Sequence, residues 1–152
     1  MIQLDYTIDN SWRSNISENR FADADPMDIH YDLFWGDISF RIDGAEFDTH
    51  WGWVPIVDFA VFLHSITTGL NEGMADTFKF TESDASITFR RIADEVEVKS
   101  NYCASAARVP YPELFAVATT FLKRVLNEVV AQYPSLAENK YIKTLFQRLP
   151  DV

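Results

Sequence analysis

Positive charge is scarce in this chain. Lysine and arginine number 13 against 23 aspartates and glutamates, a formal net charge of −10 over 152 residues. A chain of that sign is repelled by phosphate backbones and by anionic membrane surfaces. Nucleic acid and membrane are therefore not expected partners, and a basic protein is. Cysteine is nearly absent: Cys103 stands alone, so no internal disulfide can form. A lone cysteine of this kind usually acts as a small hydrophobe. Long apolar runs are missing too. The longest, from Val54 to Leu63, is interrupted by Pro55 and Asp58 and is too short to span a bilayer. The start, Met1 to Tyr6, alternates and carries the early acid Asp5, unlike the basic opening of a secretion signal. Together these features lead to the expectation of a reducing, cytoplasmic setting.

The 5 glycines fit no phosphate loop, dinucleotide fingerprint or nucleophile elbow. No paired-cysteine or His-Glu-x-x-His pattern exists to hold a metal. The histidines are His30, His50 and His64; with Asp23, Asp25 and Asp28 they make a ligand inventory but no ligand spacing. Asp23-Ala24-Asp25 offers two carboxylates where a hard cation wants several converging oxygens. Cys103 and Ser105 sit in no nucleophile signature. The expectation is a protein without catalytic residues, cofactor or metal.

What is present is aromatic and patterned. Phe, Tyr and Trp number 12, 6 and 4, enough for a dense core with some rings left for a surface. Ile2, Leu4, Tyr6 and Ile8 alternate with polar residues, as in a strand with one buried face. Residues 10 to 36 have no clean period, but Trp12, Ile16, Phe21, Met27, Ile29, Tyr31, Phe34 and Trp35 tie them to the body. This stretch is expected to be an ordered connection with a short strand over Asp28 to Leu33. Ile38, Phe40 and Ile42 alternate up to Asp43-Gly44, and Glu46 to Trp51 follow. Asp-Gly between such runs predicts a hairpin over residues 38 to 51.

Val54-Pro55 is expected to open a helix, with Ile56, Phe59, Ala60, Leu63, Ile66 and Leu70 at helical spacing and Gly69 or Asn71 ending it. Three β runs follow, around Phe78–Phe80, Ile87–Phe89 and Val96–Val98, with separators short enough for an antiparallel meander. Residues 100 to 110 read as a loop. Pro112 then starts a long helix to Tyr133 with a stripe through Leu114, Ala118, Phe121, Leu122, Val125 and Val129. After Pro134, Ser135 and Glu138 have the spacing of a capping box for a shorter helix. The fold class predicted is α+β: one domain, residues 1–152, an antiparallel sheet of about five or six strands with two or three helices packed on one face.

The uneven feature is charge along the chain. Glu18, Asp23, Asp25, Asp28, Asp32, Asp37, Asp43, Glu46 and Asp48 face only Arg20 and Arg41 over the same stretch. Phe21, Tyr31, Phe34, Trp35 and Trp53 are interleaved. Acids that steer encounter beside rings that anchor a docked state are the chemistry of a protein interface. Asp23, Asp25, Asp28, Asp32, Asp37, Glu46 and Asp48 are the expected partner-binding residues. The bland alternative is that the rings are core and the acids solvate the outer face.

The stretch Ile38 to Phe47, followed by Trp51 to Ala60, resembles a layout of small bacterial proteins. Size, acidity and a β-meander with C-terminal helices resemble immunity proteins of contact-dependent inhibition and related polymorphic toxin systems. The resemblance implies a cytoplasmic protein that binds a cognate toxin domain, often a basic nuclease, and neutralises it. Two other classes stay open from the residues alone: an acidic nucleic-acid mimic that occupies a DNA-binding protein, and a small enzyme whose site has no sequence signature.

Overall fold

The computed structural model describes residues 1–9, 21–81 and 83–149; the readings placed on Trp12, Ile16, Glu18 and Arg20 lie outside them. The fold is α+β, with two antiparallel sheets of four strands each. Strand β1 (Ile2–Ile8) carries the alternation seen in the sequence and pairs along its whole length with β2 (Trp35–Ile42), from Ile2 opposite Ile42 to Ile8 opposite Gly36. Gly36 is needed there, because a Cβ would strike the backbone carbonyl of Thr7 on β1.

The hairpin turns at Asp43-Gly44, as expected, with φ of 48° and 91° and Ile42 opposite Ala45. Both angles suit the primed turns that match strand twist. Its returning strand, β3, is only Ala45–Glu46. Beyond it the Phe47 and Thr49 amides still reach the carbonyls of Phe40 and Ile38, at 2.7 and 3.0 Å. In the other direction, however, the Phe40 amide donates to Asp48 Oδ1 at 2.9 Å and the Ile38 amide to Thr49 Oγ1 at 3.0 Å. Side-chain oxygens replace carbonyls, so the ladder stops short of Trp51. Val54–Pro55 forms β4 on the same edge of β2, and α1 (Ile56–Gly69) begins one residue later than expected, with Pro55 as its N-cap.

The second sheet is a meander in chain order: β5 (Ala75–Lys79), β6 (Ser86–Ile92), β7 (Glu95–Ser100) and β8 (Ala106–Pro110). Strand β8 corrects the expected loop. Its inward positions, Ala107 and Val109, lie opposite Val98 and Val96, and alanine is too weak a signal to show period two. Pro110 is tolerated because β8 is an edge strand. The expected single sheet is split: β2 is flanked by β1 on one edge and by β3 and β4 on the other, and the later strands pair among themselves.

Helix α2 (Tyr111–Gln132) buries the predicted stripe, including Leu114, Phe121, Leu122, Val125 and Val129. A 3₁₀ turn over Pro134–Glu138 leads to α3 (Lys140–Gln147). The helix cap falls at Asn139 rather than Ser135: Asn139 Oδ1 accepts from the amides of Tyr141 and Ile142, at 2.9 and 3.1 Å.

Helices α1 and α2 pack on each other; α1 touches β2 and β5, and α2 touches β1, β7 and β8. Phe59 on α1 joins these layers. Its ring lies 6.3 Å from Phe40 of β2, 5.2 Å from Phe78 of β5 and 6.1 Å from Phe121 of α2. Phe40 in turn stacks on Phe89 of β6 at 6.5 Å, which closes the core between the two sheets.

Candidate functional site: an acidic corner and its aromatic border

Residues 28–32 correct the short strand expected there. They form a π-helical turn. Asp25 and Asp28 explain it: the Asp28 amide donates to Asp25 Oδ1 at 2.8 Å, the Asp25 amide reaches Asp28 Oδ2 at 3.4 Å, and the Ile29 amide bonds the Asp25 carbonyl at 3.1 Å. Short acidic side chains that bond nearby amides offer the backbone an alternative to an extended ladder. The turn buries Ile29 and leaves Asp23, Asp25 and Asp32 exposed, with Asp28 half-buried.

Three tethers hold this corner to the body. Asn139 Nδ2 donates to the carbonyls of Phe21 and Ala24, at 2.9 and 2.8 Å, while its Oδ1 caps α3. Phe21 itself is buried against Tyr133, with ring centroids 4.7 Å apart. His30 forms the third tether: its Nδ1 lies 2.6 Å from Asp58 Oδ1 on α1, and its Nε2 meets the hydroxyl of Tyr141 on α3. An Asp–His–hydroxyl chain has the polarity of a hydrolase relay. Here the hydroxyl is a phenol whose pKa is raised, chiefly by burial. The arrangement fixes the ring and links the π-turn to two helices. Neither Asp58 nor Tyr141 was given a site role from the sequence, since they lie 28 and 111 positions from His30, beyond any spacing rule.

The seven carboxylates expected to bind a partner fall into three groups. Asp23, Asp25, Asp28 and Asp32 share the corner. Asp37 and Asp48 are built into the hairpin. Asp37 Oδ1 accepts from the Thr49 hydroxyl at 2.8 Å and from the amides of Trp51 and Gly52 at 2.8 and 3.0 Å. Asp48 accepts from the Phe40 amide and pairs with Arg41 at 2.9 Å. Glu46 is exposed at the opposite end of β2, where Arg41 faces it; at the usual rise that is roughly 20 Å along the strand from Trp35. Among the described residues none of the four corner carboxylates is in an ion pair, whereas Asp5, Asp43, Asp48 and Asp58 each meet a basic group. Crowding shows at Asp32: desolvation, then the carboxylates of Asp28 and Asp25, raise its pKa.

The interleaved rings divide as well. Phe21 and Phe34 are fully buried core. Phe34 adopts φ of 59°, a conformation uncommon outside glycine, which breaks the chain between the π-turn and β2. Tyr31 is exposed, and Trp35 and Trp53 are half-buried. These three, with Thr81, line an open recess of about 450 Å³ beside the corner. Exposed Met27 lies on the corner too. Three of the five rings thus border solvent next to the acids, and two do not.

Among the described residues, no group of three or more His, Cys, Asp or Glu side chains is placed to hold a metal ion. No described helix is long and apolar enough to cross a membrane. What the fold defines is an α+β protein with an acidic corner. Comparison with protein families, with curated proteins and with solved structures finds no match to this chain.

Proposed function

We propose that this protein binds and neutralises a basic protein, in the manner of an immunity protein against its toxin domain. One observation carries the reading: Asp23, Asp25, Asp28 and Asp32 are gathered on a tethered turn, outside any described ion pair, beside solvent-facing aromatic rings. Evenly solvating acids need no such frame. Clustered like charge costs the folded chain something: after desolvation, the Asp28 and Asp25 carboxylates raise the Asp32 pKa, and steering a cation-rich partner offsets that cost. The reading supports a cytoplasmic partner with a surplus of lysine and arginine, and it needs no cofactor. Of the seven acids expected to take part, the four corner residues are the leading contacts. Glu46 is too distant to share a small patch with them, and Asp37 and Asp48 serve the hairpin.

The test uses the product of the neighbouring gene, which this reading requires to be a basic toxin domain. Association is measured at two ionic strengths for the wild type and for a variant with Asp23→Lys and Asp32→Lys, which leave the Asp25–Asp28 bonds of the turn in place. The wild type should associate faster at low salt. The variant should associate about ten times or more slower and lose most of the salt dependence, and cells carrying it should lose protection. A variant that still associates at the wild-type rate and protects would remove the corner from the interface. No association between wild-type protein and toxin would overturn the reading itself.

A further inference from the structure

The recess beside the corner is built to hold its rings still. Trp35 Nε1 donates to the Tyr31 carbonyl at 2.7 Å, which fixes that indole. Trp53 stacks on Trp51 at 4.9 Å and 14°. Trp51 is braced in turn by the edges of Phe80 and Tyr102, at 5.2 and 5.3 Å. Tyr102 is pinned by its hydroxyl on the Phe47 carbonyl at 2.5 Å. Among the described residues, Tyr31, Trp35, Trp53 and Thr81 line the space, and none is cationic. Acidic residues adjoin these rings. Asp32 follows Tyr31 in the chain, and the charge of Asp58 is the main cause, ahead of burial, of a raised Tyr31 pKa.

Rigid aromatic faces with carboxylates nearby favour a cation over an anion or a neutral side chain. A guanidinium suits them better than an ammonium. It is planar, stacks on aromatic faces, sheds water more readily, and keeps five donors at its edge for oxygens such as the Tyr31 and Thr81 hydroxyls. The volume is that of a small-ligand pocket and accepts such a side chain with its stem. We propose that the recess of Tyr31, Trp35 and Trp53 seats an arginine side chain of the basic partner, as the anchor of an interface that the acidic corner steers. The proposal rests on the partner-binding reading and names the residue type that this reading leaves open.

The experiment titrates the full-length protein with N-acetyl-arginine methylamide and follows the indole N–H resonances of Trp35 and Trp53. The lysine and citrulline counterparts are run beside it; citrulline keeps the planar shape without the charge. Saturable shifts of both indoles by the arginine probe are expected, with lysine and citrulline each about fivefold weaker or more. Tyr31→Ala removes an exposed wall without touching the core and should weaken the arginine probe by a similar factor. Trp53→Leu should weaken it further. No saturable shift, equal binding of citrulline, or full binding by Tyr31→Ala would each overturn the assignment. The two proposals fail separately. A toxin that binds through the corner while the probe leaves the indoles unmoved removes only the arginine seat. A probe that seats normally on a protein that binds no toxin removes the immunity reading.

Discussion

The hydroxyl of Thr49 donates to Asp37 Oδ1 at 2.8 Å while accepting the amide of Ile38 at 3.0 Å. Through that pair one carboxylate collects the turn that carries Trp51 and Gly52 onto β2. Asp37→Ala should therefore cost about 2 kcal/mol or more, since it leaves several half-buried donors without a partner. Asp23→Ala, an exposed acid, should stay within about 0.5 kcal/mol of wild type. Urea denaturation of both variants checks the contrast; equal stabilities would show that Asp37 is a surface acid like the others.

Asn139 does two jobs with one carboxamide, capping α3 and holding the Phe21–Ala24 carbonyls. Asn139→Ala should destabilise by about 2–4 kcal/mol, from the lost cap and the orphaned carbonyls together. Asn139→Ser retains a cap acceptor and should fall between. A loss under about 0.5 kcal/mol for the alanine variant would mean that water replaces both functions.

Phe121 is buried on α2, edge-on to Tyr6 at 5.6 Å and to Phe59 at 6.1 Å. Phe121→Ala should cost about 3–5 kcal/mol, the range for deleting a core aromatic. Chemical denaturation with an unchanged m-value would assign that loss to the folded state.

Asp32 supplies a pH test. Its pKa is raised above the ordinary aspartate value of 3.8 in the folded chain, so the folded state binds its proton more tightly than the unfolded state does. Stability from this group is present at acid pH and is lost as pH rises from 3.8 through the raised folded value. Asp32→Asn should accordingly raise the melting temperature slightly at pH 7 and lose that advantage below pH 3.8. Thermal scans across the acid range measure it; an advantage independent of pH would assign the effect to something other than ionisation.

Much of the fold was legible along the chain. The β1 alternation, the Asp43-Gly44 turn, the α2 stripe and the three central meander strands are local patterns, set by periods of two and 3.6 and by the positive φ that Asp-Gly tolerates. Strand β8 was not legible, because Ala107 hides its inward face, nor was the π-turn at residues 28–32, whose cause is a reciprocal bond between Asp25 and Asp28.

The candidate site was legible only as composition. An excess of acid and interleaved rings could be counted from the sequence, and those counts alone pointed to a basic partner. Which acids are held was decided by the tertiary structure: Asp37 and Asp48 accept amides that come near only when the hairpin closes, whereas Asp25 and Asp28 accept each other's amides within the turn. The same holds for the rings: Phe34 turns inward, while Tyr31 and Trp35, its near neighbours, border a recess whose other wall, Trp53, arrives on β4's approach. Local pattern sets which residues form a strand or a helix, because that choice depends on backbone geometry over a few positions. Edge pairing, the split into two sheets and the Asp58–His30–Tyr141 tether depend on contacts between distant segments, and those exist only once the core has closed.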